Sequence, residues 1–146
     1  MFSRSKRVVI AGAVLSTAVA ASAVGLAAAS ATASTATHTL NFIAVATSTS
    51  PTTKSGRYYE SDVDRANGST IANDVLSCVA GKSSVACWVA LANNNGMLYG
   101  HFVISFSNGN LTGKITSGSG SYKNAKGTIS GKPVAAGEGV TIVYTT

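Results

Sequence analysis

From about residue 38 onward the chain alternates apolar and polar positions, or gathers short β-branched runs, between clusters of Gly, Asn and Ser, and no window sustains an apolar stripe at helical spacing. A period of two gives a strand one face for a core and one for water, so the pattern predicts strands throughout. Eight are expected, at about 38–49, 57–65, 70–80, 85–92, 97–107, 111–116, 127–134 and 139–145. Connections of a few residues favour neighbouring antiparallel pairs, while 48–56, rich in Ser and Thr and containing Pro51, reads as a longer loop. Eight short strands in meander order predict an all-β, eight-stranded antiparallel up-and-down barrel of calycin-like form, which exposes no edge; a two-sheet sandwich is the alternative.

Two turns set testable registers. Asn108-Gly109 carries the residue types of a type I′ hairpin turn, in which both central positions need positive φ. That turn sets Phe106 opposite Leu111, Ile104 opposite Gly113 and Phe102 opposite Ile115, on one apolar face with Leu98. Tyr99, His101 and Val103 then point away, with His101 across from Thr116. If Lys82 and Ser83 form the preceding turn, Leu76 faces Val89, Cys78 faces Cys87 and Ala80 faces Val85. The cysteines then form a non-hydrogen-bonded pair with Cα atoms roughly 4.5 Å apart, within disulfide reach.

The first 33 residues break the alternation. Arg4, Lys6 and Arg7 precede an apolar stretch from Val8 to about Ala29, and small residues follow, which is the order of a secretory signal peptide. The stretch is long enough for a membrane anchor, but it is Ala-rich and no basic stop-transfer cluster follows it. Cleavage near Thr32 or Ser34 leaves one domain, 34–146, in an extracellular, secreted protein with no membrane attachment. Export also makes oxidation of Cys78 and Cys87 to a disulfide the expected state.

The formal charge of +6 falls once the signal's three basic residues are gone. Lys54, Arg57, Arg65, Lys82, Lys114, Lys123, Lys126 and Lys132 are scattered, without the basic run or basic-aromatic stripe of a nucleic-acid binder. Two thiols and two separated histidines do not make a metal site. The second strand alternates Tyr58, Glu60, Asp62 and Asp64 on one face with Tyr59, Ser61 and Val63 on the other. Three carboxylates in a row are costly to bury, so this face reads either as a solvated rim or as an acid set into an apolar cavity, where desolvation raises a pKa until the group can donate or accept a proton. The Lys82-Ser83 register places Asp74 opposite Leu91 on the cysteine side, where it needs a partner or a route to solvent. His101 reads as an exterior residue. Trp88 lies opposite the cysteines with Val75, Val79, Ala86 and Ala90, so either this is an apolar outer patch fit for a subunit contact, or the sidedness is reversed and Trp88 is core. No nucleophile elbow is present, so hydrolase chemistry has no support.

Residues 115–132 read ITSGSGSYKNAKGTISGK, a strand running into Gly118 and Gly120 and restarting near Gly127. Glycine and Asn124 permit a tight bend from which Tyr122 and Ala125 can pack inward. The Ser117-Gly118-Ser119-Gly120 and Asn124-Ala125-Lys126-Gly127 runs resemble the glycine-rich motif of the allene oxide cyclase barrel family, which includes plant dirigent proteins and similar secreted bacterial proteins. Ser117 stands where the family has its first glycine. The likeness extends from about Leu40 through the acidic DVD segment and NGSTIANDVLSC to GVTIVYT.

The resemblance implies an eight-stranded barrel, often trimeric, whose apolar cavity steers isomerisation, cyclisation or coupling of reactive small molecules without a cofactor. Carried over, Asp62 and Asp64 match an acidic pair of dirigent-like members, with Asp74 as a further catalytic candidate. Tyr58, Leu91, Phe102 and Ile104 are the expected ligand contacts. The family's catalytic arginine has no equivalent near this strand, Arg65 being the nearest, which sets the chain apart from dirigent-type coupling. The expectation is therefore a secreted barrel that binds a small apolar molecule and isomerises or cyclises it. A non-catalytic carrier or surface-interaction protein is the alternative.

Overall fold

Each alternating run forms a strand. The computed structural model describes residues 35–146 as β1 (Thr37–Thr49), β2 (Arg57–Ala66), β3 (Ser69–Ala80), β4 (Ser84–Asn93), β5 (Gly96–Ser105), β6 (Leu111–Gly120), β7 (Lys126–Val134) and β8 (Gly137–Thr145), with no helix among them. The signal segment expected at 1–33 lies outside the described residues. All neighbours pair antiparallel in chain order, and β1 also pairs with β8, so the sheet closes into a barrel and not a sandwich. Closure gives every inner strand two partners and leaves no free edge.

The inner face carries one residue of every two. Phe42 and Ala44 of β1, Leu76 and Cys78 of β3, Leu98 and Phe102 of β5, Leu111 and Ile115 of β6, Ile129 of β7 and Val140 and Ile142 of β8 are all buried. The β3–β4 hairpin has the expected register, with Leu76 opposite Val89, Cys78 opposite Cys87 and Ala80 opposite Val85. Cys78 and Cys87 are joined by a disulfide with their Cα atoms 4.1 Å apart, and both are buried. Their inward direction settles the sidedness: Trp88 is outside and 56% exposed.

The Asn108-Gly109 register needs correction. Ile104 faces Leu111, Phe102 faces Gly113 and His101 faces Lys114, two residues away from the expected pairing. Only Gly109 has positive φ there, whereas a type I′ turn needs two such residues. The Asn108 side-chain oxygen instead accepts from the Asn110 amide, and the Ser105 amide donates to the Asn110 carbonyl, so the connection is a wider loop. A shift of two preserves which residues face inward, so Phe102 and Leu98 are buried and His101 is exposed as expected. Phe106 drops out of the inner face and stands 55% exposed in the loop.

Asn67-Gly68, another of the chain's three Asn-Gly pairs, forms a two-residue turn with both central residues at positive φ. Asn67 and Gly68 have φ of 52° and 79°, and Ala66 faces Ser69 across them. At the same end of the barrel the glycine-rich segment folds under as a plug, with Tyr122 and Ala125 buried, Gly120 at φ 61° and Asn124 at φ 67°. A Cβ on Gly118 would stand 2.3 Å from the Tyr122 carbonyl oxygen, so only glycine lets the bend close this tightly. Tyr122 meets Tyr144 edge to face, and its hydroxyl accepts a hydrogen bond of 2.7 Å from the Asn93 side-chain amide.

Candidate functional site

With one end plugged, the barrel keeps a cavity of about 260 Å³ in its middle and upper parts. The wall residues at the other end, Ala46, Glu60, Val89, Ile104, Gly137 and Glu138, are half-buried or exposed, so the mouth lies among the β1–β2, β3–β4, β5–β6 and β7–β8 loops. Leu91, Leu98, Phe102, Leu111, Ile115 and Ile129 make most of one side apolar. Glu60, Asp62, Asp74 and Glu138 line the same cavity from β2, β3 and β8.

The acidic cluster depends on one irregularity. Counting out from the Asn67-Gly68 turn, an unbroken ladder would pair Asp62 with Asn73 and send Asp74 to the outer face. The register shifts instead between Asp64 and Arg65, leaving Ile71 as the extra residue of β3. A bulge of this kind re-aims every side chain beyond it. Beyond it Asp64 faces Ala72, and Asp62 faces Asp74 directly. Facing side chains on one side of an antiparallel pair have Cβ atoms roughly 4.5–5.5 Å apart.

Asp62, Asp64 and Asp74 are all buried, Asp64 completely. Asp62 Oδ1, both oxygens of Asp64 and Asp74 Oδ1 have no hydrogen-bond partner in the protein, and neither has Glu138 Oε1. Burial penalises the charged forms, and each charge also raises the cost of ionising the others. Desolvation first, then Asp74 and Glu60, push the Asp62 carboxyl up to about 7. Desolvation and Asp62 do the same to Asp64, about 7, and desolvation, Asp64 and Glu60 to Asp74, about 7. Burial also raises Glu138, and the Tyr58 phenol rises through desolvation and then the charges of Glu60 and Asp62. Near neutrality, then, each of the three carboxyls stands between its protonated and its ionised form. The solvated-rim reading of this face is overturned for Asp62 and Asp64, because the face turns into the barrel.

Of the expected ligand contacts, Leu91, Phe102 and Ile104 stand in the cavity wall, whereas Tyr58 shares the inner face but not the wall. Asp62 and Asp74 reach the cavity, and Asp64 sits behind them. Arg65 is exposed on the outside and cannot meet the carboxyls. Glu138 was not anticipated. Its signal was its spacing of two from the inward Val140 and Ile142, hidden because the last strand begins at Gly137 and not at Gly139. Outside the barrel, Tyr59, Val75, Trp88 and Tyr99 border a shallow apolar groove.

The barrel is similar to a solved structure named pyocyanin demethylase, with a TM-score of 0.63 and 20% identity over 74% of this chain and 100% of that one. At that identity the likeness is one of fold. A scan against protein-family models and a search of curated proteins both give no match.

Proposed function

We propose that this is an exported barrel that takes a small apolar molecule into its cavity and isomerises or cyclises it by proton transfer, in the manner of the allene oxide cyclase and dirigent barrels that its glycine-rich segment resembles. One observation carries the reading: buried carboxyls without cationic partners, held near pKa 7, open onto an apolar cavity. A group with a pKa near the working pH is the best general acid or base. Asp62 and Asp74, facing each other across β2 and β3, act as a pair. One gives a proton to the ligand while the other, ionised, takes one from a second atom of it, so the ligand rearranges with no net change in protons or electrons. The charge on one member opposes ionisation of the other, which keeps the pair half-protonated. The fold likeness supports the reading to this extent, that a barrel of this shape serves a protein named as acting on pyocyanin.

Secretion belongs to the same proposal and rests on the order of charged, apolar and small residues in 1–33, with the disulfide as a compatible feature. So does a homotrimer, for which the exposed Trp88 face offers a contact surface. The carrier reading keeps the cavity but gives the carboxyls no chemistry. It is favoured by the lack of a cavity-facing arginine, lysine or histidine to share in catalysis. Asp62→Asn and Asp74→Asn separate the two. With a ligand that the protein converts, either variant is expected to lose turnover by about 100-fold or more while binding persists; unchanged turnover in both would overturn the proton-transfer role.

A further inference from the structure

The chain has five acidic residues, and every one of them turns into the barrel. Asp62, Asp64 and Asp74 are buried, and Glu60 and Glu138 are half-buried in the cavity wall. All eight lysines and arginines of residues 35–146 are exposed on the outside. Surface charges of mixed sign ordinarily share the same solvent, whereas here the two signs are sorted by face, with no lysine, arginine or histidine among the cavity residues.

Within the cavity the charge is sorted again. Ala44 of β1 pairs with Glu138 of β8 on one side and Asp64 of β2 on the other, and Ala46 pairs with Asp62. The acidic sector thus runs over β8, β1, β2 and β3, with small alanines at its centre that leave room between the carboxyls. The facing sector, over β4 to β6, is apolar. Asp62 and Asp74 are each 6% exposed, and each has one oxygen without a partner, as has Glu138. Unpaired carboxyls in a dry wall gain most from a positive charge that brings its own hydrogen-bond donors, and an apolar body matches the facing sector.

We infer that the cavity selects an organic cation: an amine or similar group of one positive charge on an aromatic or alkyl body, its charged end over Ala44 and Ala46 between Glu138 and Asp62, its body against Leu91, Phe102 and Ile104. The inference rests on reading the cavity as the binding site. It changes the substrate class of that reading from a neutral apolar molecule to a charged one that keeps an apolar body, and the proton-transfer step itself needs no change. It also fixes the direction of a pH effect. The groups facing the charged end are Glu60, Asp62, Asp64 and Asp74, with Glu138 from β8 and, on the mouth side of Glu60, the Tyr58 phenol, and β1 and β4 present no titratable group there. Acidification neutralises Asp62, Asp64 and Asp74 and weakens the preference for a cation.

Isothermal titration with a matched pair of ligands tests this: 1-naphthylmethylamine, which is charged, and 1-naphthalenemethanol, which is neutral and of nearly the same shape. At pH 8 the amine is expected to bind about tenfold more tightly or better. The preference is expected to shrink to about twofold at pH 5, where the amine is still charged and Asp62, Asp64 and Asp74 are protonated. It is also expected to disappear at pH 8 in the Asp62→Asn, Asp74→Asn, Glu138→Gln triple variant. An alcohol that binds as tightly as the amine overturns the cation inference and leaves the cavity reading standing. An amine preference that persists undiminished in the triple variant, or at pH 5, overturns it as well, since the charge recognised would lie elsewhere. If neither ligand binds the wild-type protein, the cavity reading falls and the inference falls with it.

Discussion

Asp64 is the most buried charge-bearing side chain in the barrel, and neither of its oxygens has a partner. An ionised carboxylate in that position is costly, so the folded chain holds the proton up to about pH 7. The consequence for stability follows from linkage. Asp62, Asp64 and Asp74 each bind a proton more tightly folded, at about 7, than unfolded, at about 3.8. Below about pH 4 both states are protonated and stability is at its fullest. As the pH rises towards 7 the unfolded chain releases protons that the folded chain retains, so stability falls, and above the folded pKa the loss is complete. The melting temperature at pH 5 is therefore expected to exceed that at pH 8 by about 5 °C or more, and differential scanning calorimetry at the two pH values checks it. Asp64→Asn removes a charge without reaching the cavity. Its expected effect is a melting temperature raised by about 4–8 °C at pH 8 and by less than half of that at pH 5, where only part of the loss has been incurred; an equal rise at both pH values would mean that the carboxyl is not the titrating cost.

The hairpins show what chain spacing encodes. Across β3 and β4 a two-residue connection, two cysteines at mirrored positions and alternating apolar residues all agree, and the register was legible down to Asp74 opposite Leu91. Across β5 and β6 a single Asn-Gly pair misled, because Asn108 uses its side chain to cap a wider loop while Asn67 takes the left-handed conformation. Residue type alone does not distinguish these uses of asparagine. The bulge at Ile71 was also illegible, since nothing in the local sequence marks an extra residue. It alone places Asp74 before Asp62. The disulfide ties a nine-residue separation within one hairpin. Replacing both cysteines by serine is expected to cost about 2–3 kcal/mol in urea unfolding. Gly118→Ala is expected to cost about 1–3 kcal/mol by forcing the Tyr122 bend away from β6, and it should also leave the plugged end more open to quenching of tyrosine fluorescence.

At the scale of the molecule, the all-β class, the strand count and the closure were readable from periodicity and short connections. The sorting of charge was not, because inward and outward carboxylates look alike along a strand until the core side is known. The signal segment, the mature start and the oligomer state make a joint prediction. Native mass spectrometry of protein recovered from culture medium is expected to give a chain beginning near Thr32 or Ser34 and a mass of three such chains; a monomer retaining 1–33 would overturn both.

Pairing between β1 and β8 also has a kinetic meaning. The rung that brings Thr141 to Asn41 joins residues 100 apart, and the same seam runs from Thr37 with Thr145 to Ala44 with Glu138. Every other seam joins consecutive strands, so hairpins can form locally and early, but the ring waits for its final strand. Until Gly137–Thr145 has been made, β1 and β7 are open templates for the wrong partner. A barrel built this way stays open until β8 is in place, and a break within β8 does not trim the barrel but uncoils it into a curved sheet with two adhesive borders.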